Sequence, residues 1–239
     1  MDVFVDKLEQ TVALLEQAAS DYANELVFAC SFGAEDVLLL DLIAKNGMNI
    51  RVVTLDTGRL PQETYNAMDA CRKKYGFNID IYFPDASDVE NMVKQDGMNL
   101  FYDSIEKRKS CCHVRKILPL KRALVGAKAW VTGVRKQQAD TRAEMMFVED
   151  DKAFGIKKFN PLLEWTEKDV WDYIKTNDVP YNALHDQFYP SIGCAPCTRA
   201  ISVGEDPRAG RWWWEQEDAV AECGLHVNPV SSIIKPKGV

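Results

Sequence analysis

Apolar residues recur at two periods along this chain, and the alternation between the periods outlines its architecture. From Asp6 to Ser20 the apolar positions Leu8, Val12, Leu15 and Ala19 fall at helical spacing, which predicts an amphipathic helix. LVFAC (26–30) is a short apolar run that gives way to the polar SFGAED and then to DVLLLDLIAKNG. That reads as strand, loop and helix, with Gly47 as the stop. The unit repeats as IRVVTL (50–55), the loop DTGRLP, and a helix from Gln62 to Tyr75 closed by Gly76. IDIYFP (79–84) is a third strand, Asp88 to Gln95 a short helix, and His113 to Val125 a helix kinked near Pro119. AWVTGV (129–134) is a fourth strand, followed by a polar loop carrying arginines. Thr166 caps a helix running from Glu167 to Lys175. Beyond Tyr181 the periodicity fades into chain rich in Cys, Pro, Gly and Trp.

Strands alternating with helices predict an α/β fold, a doubly wound parallel sheet covered on both faces. Ligands of such sheets sit at the carboxyl ends of the strands. The loops SFGAED, DTGR and GVRKQQADTR all begin at that edge and should converge on one crevice. No internal repeat, low-complexity stretch or clear linker interrupts the pattern.

Composition narrows the choice. The 239 residues are 46% hydrophobic and 27% charged, an ordinary balance for a globular chain. No apolar run approaches the ~18 residues of a membrane span, and MDVFVDKLEQ is not a signal peptide, so a cytoplasmic protein is expected. A net charge of -7 argues against nonspecific nucleic-acid binding. Basic residues nevertheless gather locally in KRKSCCHVRK, VRKQQADTR and PRAGR. Seven cysteines in a reducing compartment favour metal, cluster or redox chemistry over structural disulfides.

Those cysteines fall into distinct groups. Cys30 and Cys71 lie inside a predicted strand and helix and read as buried packing. Cys111 and Cys112 are adjacent, and Cys194 and Cys197 form a CxxC. A CxxC alone is as often a redox dithiol or half a zinc site. Adjacent side chains diverge by about 100° on a helix, which is awkward for tetrahedral zinc with all its ligands about 2.3 Å from one centre. An iron–sulfur cubane offers separate corners to neighbouring thiolates, so the two pairs together favour a four-cysteine cluster. Cys223 is left over, in AECGLH near the end of a weakly patterned tail expected to be mobile. Gly224 beside it gives backbone freedom, and His226 is placed to hold or activate a thiolate.

Taken together, SFGAED (31–36), TLDTGRLPQETY (54–65), CCHVRK (111–116), WVTGVR (130–135), GCAPCTR (193–199), RWWWE (211–215) and ECGLH (222–226) resemble the phosphoadenylyl- and adenylyl-sulfate reductases, in that family's order. The resemblance is to the assimilatory, bacterial and plant-type members that act on adenylyl sulfate. It implies an adenine nucleotide α-hydrolase-like domain over 1–205, including the cluster cysteines, and an irregular C-terminal segment over 206–239 with the catalytic cysteine. It also implies one [4Fe–4S] cluster on Cys111, Cys112, Cys194 and Cys197. The pyrophosphate-loop pattern SGGxDS of ATP-splitting relatives is absent, which argues against an ATP pyrophosphatase.

On that resemblance, Ser31, Phe32 and Gly33 form an anion-binding loop at a helix start. Asp56, Thr57, Gly58 and Arg59 contact the adenosine or its phosphate. Arg135, Arg142, Arg208 and Arg211 pair with phosphate or sulfate, as guanidinium suits both. Lys116, one helical turn past Cys112, links the cluster to the sulfate. His226 belongs to the substrate-binding set, and Trp212 to Trp214 are either a packing knot or a stacking surface. The implied reaction has Cys223 as nucleophile, a cysteine S-sulfonate intermediate, and thioredoxin or a glutaredoxin-like reductant as partner, in sulfate assimilation and cysteine biosynthesis. A 3′-phosphorylated substrate stays open as an alternative, and homo-oligomers occur in the family. One departure is Ala221, where relatives often carry Lys or Thr before the Glu-Cys.

Overall fold

The chain was analysed as a computed structural model that describes residues 3–138 and 142–215. Its centre is a six-stranded sheet in the order β3-β2-β1-β4-β6-β5. The strands are β1 (Leu26–Ala29), β2 (Arg51–Leu55), β3 (Ile79–Tyr82), β4 (Ala129–Val131), β5 (Val148–Asp151) and β6 (Ile156–Phe159). β1 pairs in parallel with β2 on one side and with β4 on the other, β2 pairs in parallel with β3, and β4 with β6. The chain order reverses on either side of β1, which is the switch point where doubly wound sheets open a crevice. The doubly wound reading therefore holds.

β1 and β4 are short runs of apolar residues, as strands covered on both faces require. Helix α2 (Ala34–Lys45) carries apolar residues around its whole circumference and is buried along nearly all its length. Asp41 within it is fully buried and held by Tyr75 (2.8 Å), Tyr173 (2.6 Å) and Lys45 (2.8 Å). α1 (Val3–Tyr22) and α7 (Glu167–Thr176) bind each other through Lys7 and Asp169, 2.7 Å apart. Thr166 caps α7 as expected, in a reciprocal capping box with Asp169. α3 (Gln62–Tyr75) has the expected bounds, and α4 (Ala86–Asp96) extends the expected helix by two residues at its start. Cys30 and Cys71 are buried in the core.

Two features differ from the sequence expectation. The helix expected from His113 starts earlier, as α5 (Ile105–Cys112), capped by Ser104. It passes through a π-helical turn, His113–Ile117, into α6 (Leu118–Ala123), whose first turn accommodates Pro119. KRKS hides α5 because its polar run shows no apolar stripe. The β5–β6 hairpin was also not foreseen, since VEDD and IKKF are stitched by ion pairs, Glu149 to Lys158 (3.1 Å) and Asp150 to Lys157 (2.7 Å), rather than by apolar alternation.

Candidate active site

Three loops leave the carboxyl ends of the strands and meet, as the topology requires. After β1, the backbone N–H and the hydroxyl of Ser31 both donate to Asp36 at 2.6 Å, which folds the loop back onto α2. Phe32 sits at φ +61 with its ring buried in the core, so it anchors the loop and does not face the crevice. Gly33 precedes α2 with no side-chain cap on the helix, leaving the helix start open to an anion. The loop after β4 presses on the same carboxylate. A Cβ at Gly133 would lie 2.2 Å from Asp36 Oδ1, so only glycine allows this approach. Burial pushes the Asp36 carboxyl up to about 6.

After β2, Asp56 accepts from the Gly58 N–H (2.8 Å) and from the Tyr65 hydroxyl (2.9 Å). Gly58 takes the left-handed conformation, φ +71, that the turn demands. Thr57 and Leu60 are the members of this loop that line the crevice, and the Thr57 carbonyl accepts from Arg115 at 2.7 Å. Arg59 points elsewhere: it donates to the Met98 carbonyl (2.5 Å) and Asn99 (3.0 Å), and its guanidinium lies over the Phe101 ring. Asp56, Gly58 and Arg59 thus shape the loop, while Ser31, Gly33 and Thr57 face the space it encloses.

The crevice has a volume of about 390 Å³, within the range of small-molecule sites. Val53, Leu55, Leu120 and Trp130 contribute apolar surface suited to a base, and Lys116, Arg135, Arg142, Arg208 and Arg211 contribute cationic groups. Arg135 is buried and fixed by Glu35 at 2.7 Å, and Arg142 is fixed by Gln138. Gly193 permits Arg211 to close in, since a Cβ there would lie 2.4 Å from its Nη2.

Beside the crevice lies a second, smaller cavity. Cys111, Cys112, Cys194 and Cys197 line it as free, buried thiols. The CxxC turn is docked on the β2 loop by the Ala195 N–H to the Arg59 carbonyl (2.8 Å) and by a Thr57 hydroxyl contact to Cys194 Sγ (3.2 Å). Among the described residues no three His, Cys, Asp or Glu side chains are grouped to hold one metal ion, so the thiols line the cavity without converging on a point. Burial pushes Cys197 up to about 12 and raises Cys111, so these thiols keep their protons until a metal replaces them. Lys116, Arg211, Cys194 and Trp212 line both cavities, which therefore share one wall. Strap residues 210–212 pair back onto this wall, Arg199 N–H to Gly210 carbonyl at 2.9 Å and Trp212 N–H to Cys197 carbonyl at 3.4 Å.

The structure thus brings Ser31, Gly33, Thr57, Lys116, Arg135, Arg142, Arg208 and Arg211 to one crevice and the four cysteines to its neighbour. Cys223 and His226 lie outside the described residues. Sequence reasoning missed Asp36, Gly133 and Gly193, although each stands inside a motif it had singled out. An acid at a helix start and a glycine beside a cysteine were the available signals.

A Rossmann-like sheet with a cation-lined crevice and a thiol-lined cavity sharing its wall defines a nucleotide-binding α/β protein with sulfur chemistry beside the nucleotide. The chain belongs to the phosphoadenosine phosphosulfate reductase family, whose domain model matches residues 25–200. It is 51% identical over 227 residues to the adenosine 5′-phosphosulfate reductase of Burkholderia cepacia, covering 95% of this chain and 90% of that protein. The enzyme of the same name from Allochromatium vinosum is 51% identical over 215 residues, covering 90% and 83%. The crystal structure of phosphoadenylyl-sulfate reductase from Candida auris, in a phosphate complex, superposes with a TM-score of 0.68 at 29% identity, over 80% of this chain and 90% of that one.

Proposed function

We propose that this chain reduces adenylyl sulfate to sulfite and AMP, with Cys223 as the nucleophile and thioredoxin as the reductant. The observation that carries the reading is the shared wall: Lys116 and Arg211 face both the nucleotide crevice and the four thiols. Family membership and relatives named for adenosine 5′-phosphosulfate at about half identity support the substrate. The apolar floor takes the adenine, the Ser31–Gly33 loop and α2 start take the phosphate with Arg135 and Arg142, and Lys116, Arg208 and Arg211 take the sulfate.

The Cys223 thiolate, held by His226, attacks the sulfate sulfur. An S–S bond forms, the sulfur–oxygen bond to AMP breaks, and AMP leaves with its charge matched by the cations. A thioredoxin thiolate then attacks Cys223 Sγ and expels sulfite, leaving a mixed disulfide that the second thioredoxin thiol opens. Sulfate sulfur gains two electrons, and two thioredoxin thiols become a disulfide. The reaction belongs to the cytoplasm, where thiols stay reduced.

The four cysteines fit a [4Fe–4S] cluster. They are buried, unpaired in disulfides, spread around one cavity, and faced by Arg59, Arg108, Arg115, Lys116 and Arg211. When bound, the cluster supplies a fixed buried charge that orders these cations, and no electrons are required of it. The direct test is sulfite release by anaerobically purified protein, with and without thioredoxin, on adenylyl sulfate and on its 3′-phosphorylated form. Thioredoxin-dependent release with a higher kcat/KM for adenylyl sulfate is expected. Preference for the 3′-phosphorylated nucleotide, or release without any thiol reductant, would contradict the proposal.

A further inference from the structure

Of the two described histidines, His113 and His185, only His185 lines the nucleotide crevice. Neither its Nδ1 nor its Nε2 has a hydrogen-bond partner among the described residues, and both are sealed from water. The Tyr189 backbone comes near the ring without reaching hydrogen-bond geometry. A neutral imidazole carries one N–H donor and one bare acceptor, and leaving both unpaired in the interior is costly. Such an orphan at the wall of a crevice points to a partner that the crevice receives.

The surroundings identify the group that fits. The ring packs edge-to-face on Trp171, with centroids 5.1 Å apart, and Trp171 packs in the same way on Tyr181 at 5.2 Å, so aromatic contacts fix its plane. His185 stays partly exposed while its nitrogens are sealed, so what it now offers the crevice is carbon. A half-turn about χ2 keeps the plane and shape of the ring and exchanges its carbon and nitrogen edges. Burial holds the imidazole below its ordinary range, against the opposing pull of Glu35, Asp186 and Glu167, so the ring is neutral at pH 7. A neutral ring among carboxylates does not suit phosphate or sulfate, which have Lys116 and the arginines, and the base has the apolar floor. Glu35 also fixes Arg135 at 2.7 Å, which sets His185 near the phosphate-binding arginine and hence near the sugar that carries the phosphate. We infer that His185 is a substrate-binding residue that hydrogen-bonds the ribose hydroxyls of the nucleotide. The ribose diol is uncharged and can both donate and accept, as the imidazole requires. The inference rests on the nucleotide reading above and deepens it.

The test compares two ligands on two proteins. Calorimetry on the anaerobic full chain measures binding of AMP and of 2′,3′-dideoxy-AMP, which lacks both hydroxyls. The wild type should bind AMP about tenfold more tightly than the dideoxy form. H185L should weaken AMP by about tenfold and leave the dideoxy form nearly unchanged, so that the two ligands become alike. Equal weakening of both ligands would assign the nitrogen to the base or the phosphate and overturn the inference, and undiminished AMP binding in H185L would overturn it too. Should H185L fail to fold, the wild type labelled with 15N in its three histidines answers the question. The His185 imidazole resonances, identified by their survival in H113Q and H226Q, should move with AMP and stay in place with the dideoxy form; equal shifts with both ligands overturn the inference. Wild-type protein that binds no AMP at all would defeat the nucleotide reading itself, and this inference with it.

Discussion

At the scale of single residues, Asp36 organises the anion loop by accepting twice from Ser31 while Gly133 presses on its other oxygen. Burial raises its carboxyl to about 6, above the ordinary ~3.9. The folded protein therefore binds this proton more tightly than the unfolded chain. The group's share of stability falls as pH rises from about 4 to about 6 and is level above that. Function runs the other way, because a proton on Asp36 weakens its grip on Ser31. KM for adenylyl sulfate should rise several-fold between about pH 7.5 and about pH 5.5, and in D36N it should be raised but flat across that window; an unchanged pH profile in D36N would exclude Asp36 as the group responsible. Gly193 makes a comparable point through space. G193A must displace Arg211, and loss of one charged contact predicts roughly tenfold weaker substrate binding, about 1.4 kcal/mol, with iron content unchanged. Binding measurements on the variant check this. The cysteine pairs and the arginines were legible in the sequence because their chemistry is rare and their spacing regular. Asp36, Gly133 and Gly193 act through contacts between distant loops, and no local pattern records such contacts.

At the scale of elements, the sheet positions the loops and the α5-to-α6 segment positions the thiols. β1, β2 and α3 could be read from apolar periodicity and glycine stops because they lie in the core. α5 and the β5–β6 hairpin could not, since what fixes them is charge pairing and tertiary packing. The strap illustrates this. Glu215 reaches 107 residues back to Arg108 on α5, with side-chain exposures of 6% and 0%. Removing one partner of such a buried pair costs roughly 3–5 kcal/mol. E215A should lower stability by that order in denaturant unfolding. A loss within surface-pair range, below about 1 kcal/mol, would contradict the burial of the pair.

Over the whole molecule, the crevice floor is built by the sheet and the thiol cavity by the strap, α5 and the CxxC turn. The two can therefore be separated. C194S should lose iron and visible absorption together with sulfite formation, yet retain AMP binding, because Val53, Leu55 and Trp130 do not depend on the thiols. Equilibrium binding of AMP to the iron-free variant measures this directly, and abolished AMP binding would contradict it. The architecture and the crevice were foreseeable from strand–helix alternation, and the grouping of the cysteines from their paired spacing. Of the wall common to both cavities only the Lys116 link was foreseen, since residues 194, 211 and 212 join it only when they meet in space. The central claim is that Cys223 captures the sulfur. Anaerobic protein mixed with adenylyl sulfate in the absence of thioredoxin, followed by peptide mass mapping, tests it most directly. One sulfonate on Cys223, with one AMP released per active site, is the predicted result. Sulfonate on another cysteine, or AMP release without any modified cysteine, would contradict the account.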